Sequence, residues 1–198
     1  MAKTLKGETF VNRYRFTGTL KTRSPLHIGT GEASMDVYSA AEKKRLLEDK
    51  KLKKVPDVST VLRDFSGKPL IPGSTLRGVM RGWLFSVLAG SGAQWAAEHN
   101  YEDAAYTSLS QAAQLKVVKD DFSWLELLFG TPFHEGKVEV WDAPCQTKSI
   151  PAADTLLGWN KDRLTYIDTS VAIDPATGTA IENLLYKTEV VPAGVEFK

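Results

Sequence analysis

The sequence predicts an α+β domain, and three observations predict it. Residues 10–22 alternate apolar with polar side chains, as a half-buried strand does. Residues 74–88 repeat apolar side chains at helical spacing. Two strand-like runs, 164–173 and 179–191, flank DPATG (174–178), which puts Pro and Gly where a hairpin turn wants them. Strands at both ends of a helical middle give the order strand, strand, helices, strand, hairpin, which is ferredoxin-like. With 198 residues, 42% hydrophobic and 25% charged, the chain has the composition of a globular domain and the length to bury a core. It reads as one domain over 1–198.

In the first run Phe10, Tyr14, Phe16 and Leu20 share the inward face. Val11, Arg13, Arg15, Thr17, Thr19 and Lys21 share the outer one. SPLHIGTGE (24–32) then reads as a tight loop, because Gly29 and Gly31 let backbone approach a ligand closely. Residues 34–54 are charged with irregular apolar spacing and read as a mobile, partly helical insertion. Val58–Leu62 is expected as a short strand, and FSGKP (65–69) turns it into a second short run ending at Pro72. Ser74 is expected to cap a core helix over 74–91 that buries Leu76, Val79, Met80, Trp83, Leu84, Val87 and Leu88, with Gly90 and Gly92 ending it. Residues 93–129 look mainly helical, with Trp95, Tyr101, Tyr106, Leu109, Leu115, Trp124 and Leu128 as core candidates. Lys137–Trp141 reads as a strand and 144–162 as a loop or short helix. VEFK after the turn-like VPAG opens a further strand, so the C-terminal end is read as truncated or completed by another chain.

The composition narrows the function. The longest apolar run, near Trp83–Ala89, is too short to span a bilayer, and MAKTLKGETF lacks the apolar core of a signal peptide. The single cysteine, Cys145, rules out an internal disulfide framework and is a slight argument for a reducing compartment, so a cytoplasmic location is expected. Net charge is +1, but it is split. Residues 1–86 hold 17 Lys/Arg against 8 Asp/Glu, a net of +9, and residues 87–198 hold 8 against 16, a net of −8. Phosphate binding depends on local charge, so the basic half suits a polyanion. The cluster Lys43, Lys44, Arg45, Lys50, Lys51, Lys53 and Lys54 is equally a solvated face. The acidic half suggests head-to-tail stacking of like subunits.

IPGSTLRGVMR (71–81) is the most informative stretch. Gly73, Ser74 and Thr75 fall at a helix N-terminus, where free N–H groups and the helix dipole attract anions. Arg77 and Arg81, four apart, share one face. The plain alternative is a capped helix with solvated arginines. No Walker loop, dinucleotide fingerprint or GxSxG occurs, and His27, His99, His134 and Cys145 lack metal-ligand spacing, so no structural zinc is expected. His27 either contacts a phosphate or sugar or pins its loop to the backbone. Asp36 and Asp57 stand in the basic half, where a carboxylate repels phosphate. Each is a candidate general base on a ribose 2′-OH or a holder of a divalent ion, against the plain reading of a turn aspartate after Pro56.

Five segments occur in one order: SPLHIGTGE, LRDFSGKPLIPGSTLRGVMR (62–81), LLFGTPFHEGKVEVWDAP (127–144), VAIDPATGTA (171–180) and EVVPAGVEF (189–197). Together they resemble the RAMP-type backbone subunits of type III CRISPR–Cas effector complexes. The resemblance implies a modified ferredoxin-like, RRM-like core with a protruding β-hairpin thumb, here around 164–188. It implies subunits stacked in a filament along a CRISPR guide RNA, with target RNA and other effector subunits as partners and no membrane. Gly73, Ser74, Thr75, Arg77 and Arg81 match the family's guide-backbone contact, and His27, Gly29 and Gly31 its first Gly loop. Asp57 matches the aspartate that, in catalytic members, cuts target RNA with a divalent metal such as Mg2+ or Mn2+; Asp36 is the second candidate. Some members occupy filament ends and do not cut, so a non-catalytic scaffold or end cap is the alternative. A guide-processing ribonuclease ranks last, because no His or Tyr/Lys set is visible. The chain departs from the pattern in the 34–54 insertion, at Pro175 and at Asn183 and Leu184.

Overall fold

The computed structural model describes residues 12–38, 40–49, 57–96, 100–114, 116, 123–132, 135–150, 153, 156 and 158–198. Phe10, Val11, Lys50, Lys51, Lys53, Lys54, Pro56, His99, Leu115 and His134 lie outside the described residues. The chain divides into two compact units, one of Thr17–Ile71 with Ala143–Lys198, the other of Met1–Phe16 with Pro72–Asp142.

The first unit is built on a four-stranded sheet in the order β2 (Gly29–Ser34), β3 (Val58–Val61), β7 (Ala180–Val190), β6 (Tyr166–Ile173). β2–β3 and β6–β7 are antiparallel; β3–β7 is parallel. Helix α1 (Ala40–Asp49) falls between β2 and β3 and packs Leu46 against a buried cluster of Val37, Tyr38, Val58 and Ile167. Helix and sheet thus share one core, and the mixed α+β class is as expected. The hairpin is also as expected. Asp174 N and Gly178 N close the turn on Thr179 O and Asp174 O at 2.9 and 2.7 Å, and Gly178 takes φ +67°, where a side chain would be strained. Two short pairs complete the unit: β1 (Leu20–Lys21) with β8 (Glu196–Phe197), and β4 (Leu70–Ile71) with β5 (Ala143–Pro144).

Three expectations for strands and loops are corrected. Residues 12–19 form no strand, and Tyr14 and Phe16 are exposed. Alternation marks a strand's two faces, but a strand needs a partner edge, and β8 supplies one at Leu20–Lys21 alone. Gly29 and Gly31 stand in β2 rather than in a loop; the register shifts between Gly29 and Ala33, and Gly31 takes φ +82° in that irregularity. Lys137–Trp141 is extended but unladdered, because Lys137 N and Val138 N donate to Leu127 O and Leu128 O at 3.2 and 2.9 Å.

The second unit contains α2 (Gly73–Leu88), a 3-10 turn at Ala89–Ser91, and one- or two-turn helices at Ala93–Ala96, Ala104–Thr107 and Trp124–Phe129. Ser123 caps the last: its Oγ accepts from Glu126 N, and Glu126 Oε2 accepts from Ser123 N, both at 3.1 Å. Tyr106 is buried as expected. Trp95, Leu109 and Trp124 are exposed, and Leu125 and Phe129 hold the buried places instead. α2 itself is corrected most. Val79 and Trp83 are each 66% exposed, Met80 and Val87 are exposed, and Leu76, Leu84 and Leu88 are half-buried. Helical periodicity reports an apolar stripe; it does not report what covers it. No helix among the described residues is long and apolar enough to cross a membrane.

Candidate functional site

The start of α2 is set by its own unit. Pro72 is the N-cap in extended backbone, and no side chain of the first turn caps it, so Ser74 is not the cap the sequence suggested. Asp142 supplies that role from far along the chain: its Oδ1 accepts from Gly73 N at 2.7 Å. A carboxylate here is favoured by the helix dipole, and it fills one of the N–H positions that an incoming phosphate would use. Ser74 is exposed and Thr75 half-buried beside it.

Gly73 is glycine for a local reason. A Cβ there would lie 2.1 Å from Val140 O and 2.8 Å from Val140 C, which is main chain and cannot swing away. Gly73→Ala is therefore expected to destabilise this unit by about 2 kcal/mol, the range of overpacked sites. Urea unfolding checks it, and a variant as stable as the parent would show that Val140 can retreat. Arg77 donates from Nη2 to Phe129 O, tying α2 to the end of the Trp124–Phe129 helix. Arg81 follows one turn on and is half-buried.

In the other unit His27 makes the backbone contact that one of its two readings expected. Nδ1 lies 2.7 Å from Glu189 O, a carbonyl that can only accept, so Nδ1 carries the proton. Nε2 faces Ser59 Oγ at 3.4 Å. The ring pins its segment to β7, and Gly29 makes room for it, since a Cβ on Gly29 would meet Nε2 at 2.7 Å.

Beneath this histidine lies a group that sequence patterns alone do not reveal. The Glu189 carboxylate is fully buried and accepts from Val61 N at 3.0 Å, Thr165 Oγ1 at 2.7 Å, Arg163 Nε at 3.0 Å and Arg63 Nη2. Burial pushes its carboxyl up, but the hydrogen bonds from Arg163, Thr165 and Val61 N, with the charge of Arg63, outweigh burial and hold it below the usual carboxylate range. Arg63 also donates to Gly67 O at 2.7 Å and Arg163 O at 3.2 Å. One carboxylate thus ties β3, β7, the 64–68 turn and the 163–165 segment together. The available signal was a lone glutamate in the apolar run TEVV.

The aspartate candidates share one end of a ladder. Ser34 pairs with Val58 across β2–β3, so Asp36, two residues past Ser34, and Asp57, one before Val58, both leave the same end. Both are exposed. Asp36 is held by Lys43 Nζ at 3.3 Å. Hard divalent cations take carboxylate oxygens and complete their shells with water and phosphate, so two carboxylates here fit the donor type. Among the described residues no group of three or more His, Cys, Asp or Glu comes together.

Residues 19–198 match the model of the RAMP superfamily. The chain belongs to the RAMP superfamily. No curated protein is significantly similar to it in sequence. Among solved structures this RAMP chain is similar to one in the cryo-EM structure of a Csm–crRNA–target RNA ternary complex of a type III-A CRISPR–Cas system, at TM-score 0.39 and 18% identity. The match covers 90% of this chain and 61% of that one. Within this RAMP chain the sequence-derived residues fall on both units: His27, Gly29, Gly31, Asp36 and Asp57 on the sheet unit, Gly73, Ser74, Thr75, Arg77 and Arg81 on the helical one.

Proposed function

We propose that this RAMP chain is a guide-RNA-holding backbone subunit of a type III CRISPR–Cas effector complex, stacked with other effector subunits in a filament, and that Asp57 cleaves the paired target RNA with a divalent metal. The family match over 19–198 carries the reading, and the ordered segments from SPLHIGTGE to EVVPAGVEF supply its detail. Ser74, Thr75, Arg77 and Arg81 would meet guide phosphate at the start of α2, with Arg77 also holding that helix to Phe129. Asp57, exposed at the edge of β3, would accept the proton of the attacking 2′-OH. A divalent ion, Mg2+ or Mn2+, held by Asp57 and Asp36, would neutralise charge on the scissile phosphate.

The second reading is a scaffold or end-capping subunit without cleavage. The Lys43–Asp36 ion pair favours it, since it engages the second carboxylate. Guide binding tests what both readings share. Arg81→Ala and Arg77→Ala are each expected to weaken guide RNA binding and to lower the slope of log affinity against log salt by about 0.7 for each phosphate no longer neutralised. Filter binding across a salt series measures this, and unchanged slopes in both variants would remove α2 from the guide interface.

A further inference from the structure

A cavity of about 330 Å³ lies in the sheet unit, and none of the candidate guide- or target-binding residues lines it. Among the described residues Lys68, Lys148 and Lys161 stand on its wall with Ser149, opposed by one carboxylate, Asp162. Lys68 Nζ is held in place by Asp162 O at 2.8 Å, which leaves further ammonium protons to donate. Trp159, Ile150 and Leu164 make the wall partly apolar.

The lining selects a chemistry. The ammonium groups donate, so they suit a ligand rich in acceptors and negatively charged. The flat indole beside aliphatic side chains suits a planar ring. The volume sits at the small end of small-molecule sites. We propose that this cavity binds a phosphate-bearing nucleotide, its phosphate on Lys68 and Lys148 and its base against Trp159. The nucleotide is either free or one unit of a single-stranded RNA; the recognising chemistry is the same. The site acts independently of guide binding at α2 and of any cleavage at Asp57.

The full chain, free of other subunits, is titrated with AMP, inorganic phosphate and hexauridylate while tryptophan emission is followed, with calorimetry in parallel. AMP is expected to change the emission saturably and to bind more tightly than phosphate. Trp159→Phe, which leaves the other four of the five tryptophans, removes most of that change. Lys148→Ala weakens binding about tenfold, the size of a lost hydrogen bond to a charged group. The same dependence on Lys148 and Trp159 with hexauridylate and not with AMP assigns the nucleotide to RNA and supports the proposal. Phosphate binding as tightly as AMP overturns it, as does a signal that persists in both variants or the absence of a signal with both nucleotide ligands. Lys148 is exposed, so its variant keeps the test decisive should Trp159→Phe fold poorly.

Discussion

Replacing Glu189 by glutamine is expected to destabilise the sheet unit by about 3 kcal/mol, the range for breaking a buried ion pair from one side. The loss does not come mainly from the hydrogen bonds, since an amide oxygen can still accept from Val61 N or Thr165 Oγ1. It comes from Arg63 and Arg163, whose side chains are 14% and 25% exposed and would face each other with no anion between them. Glu189→Asp keeps the charge on a shorter arm and should lose less. The acid dependence gives a second readout. The Glu189 carboxyl is held below its ordinary 4.5, so its stabilisation is complete above pH 4.5 and is lost as pH falls through the lower, folded value. Wild-type urea midpoints should therefore drop below pH 4.5 more steeply than those of Glu189→Gln, which has no such proton to take up. Parallel profiles for the two proteins would mean that the buried carboxylate is not what couples β7 to Arg63 and Arg163.

Glu189 also marks where the sequence stops being legible. The DPATG hairpin is legible because its signal and its hydrogen bonds lie within six residues of chain. The α2 boundaries are legible to within one residue at the start, since Pro72 and the apolar spacing are local. The anchors are not local. Arg63 is 126 positions from Glu189 and Arg163 is 26, while the carboxylate that caps α2, Asp142, is 69 positions from Gly73. Each of these residues reads alone as an ordinary strand glutamate, a basic residue or a loop aspartate. The same reason undid the burial expected for Val79, Met80, Trp83 and Val87: periodicity is a property of one element, and burial is a property of two. For the site, local spacing singled out the residues at the α2 start and offered the backbone contact of His27 as one of two readings, whereas the inward hydrogen bonds of Gly73 and Arg77 were not legible. All three are partly occupied in holding the chain to itself.

Asp57→Ala is expected to lower target-RNA cleavage at the step assigned to this subunit by about a hundredfold or more, the size of a lost general base, with guide binding unchanged. Asp57 is exposed, so the substitution should leave stability within about 0.5 kcal/mol of the parent and the loss cannot be laid to unfolding. The geometry gives Asp36→Ala a different expectation. Its carboxylate is engaged by Lys43, so its removal frees a cation beside the same ladder end. If Asp36 helps hold the metal, its variant should need more Mg2+ or Mn2+ to reach the parent rate; if it does not, the metal titration should be unchanged. Cleavage assays on the assembled complex, with each variant across a metal series, separate the two aspartates. Loss of one cut with Asp57→Ala, restored by no metal concentration, fits a proton acceptor at the edge of β3. Undiminished cutting at every position in Asp57→Ala would end the catalytic assignment and leave the scaffold reading, in which the basic half of the chain serves guide binding alone.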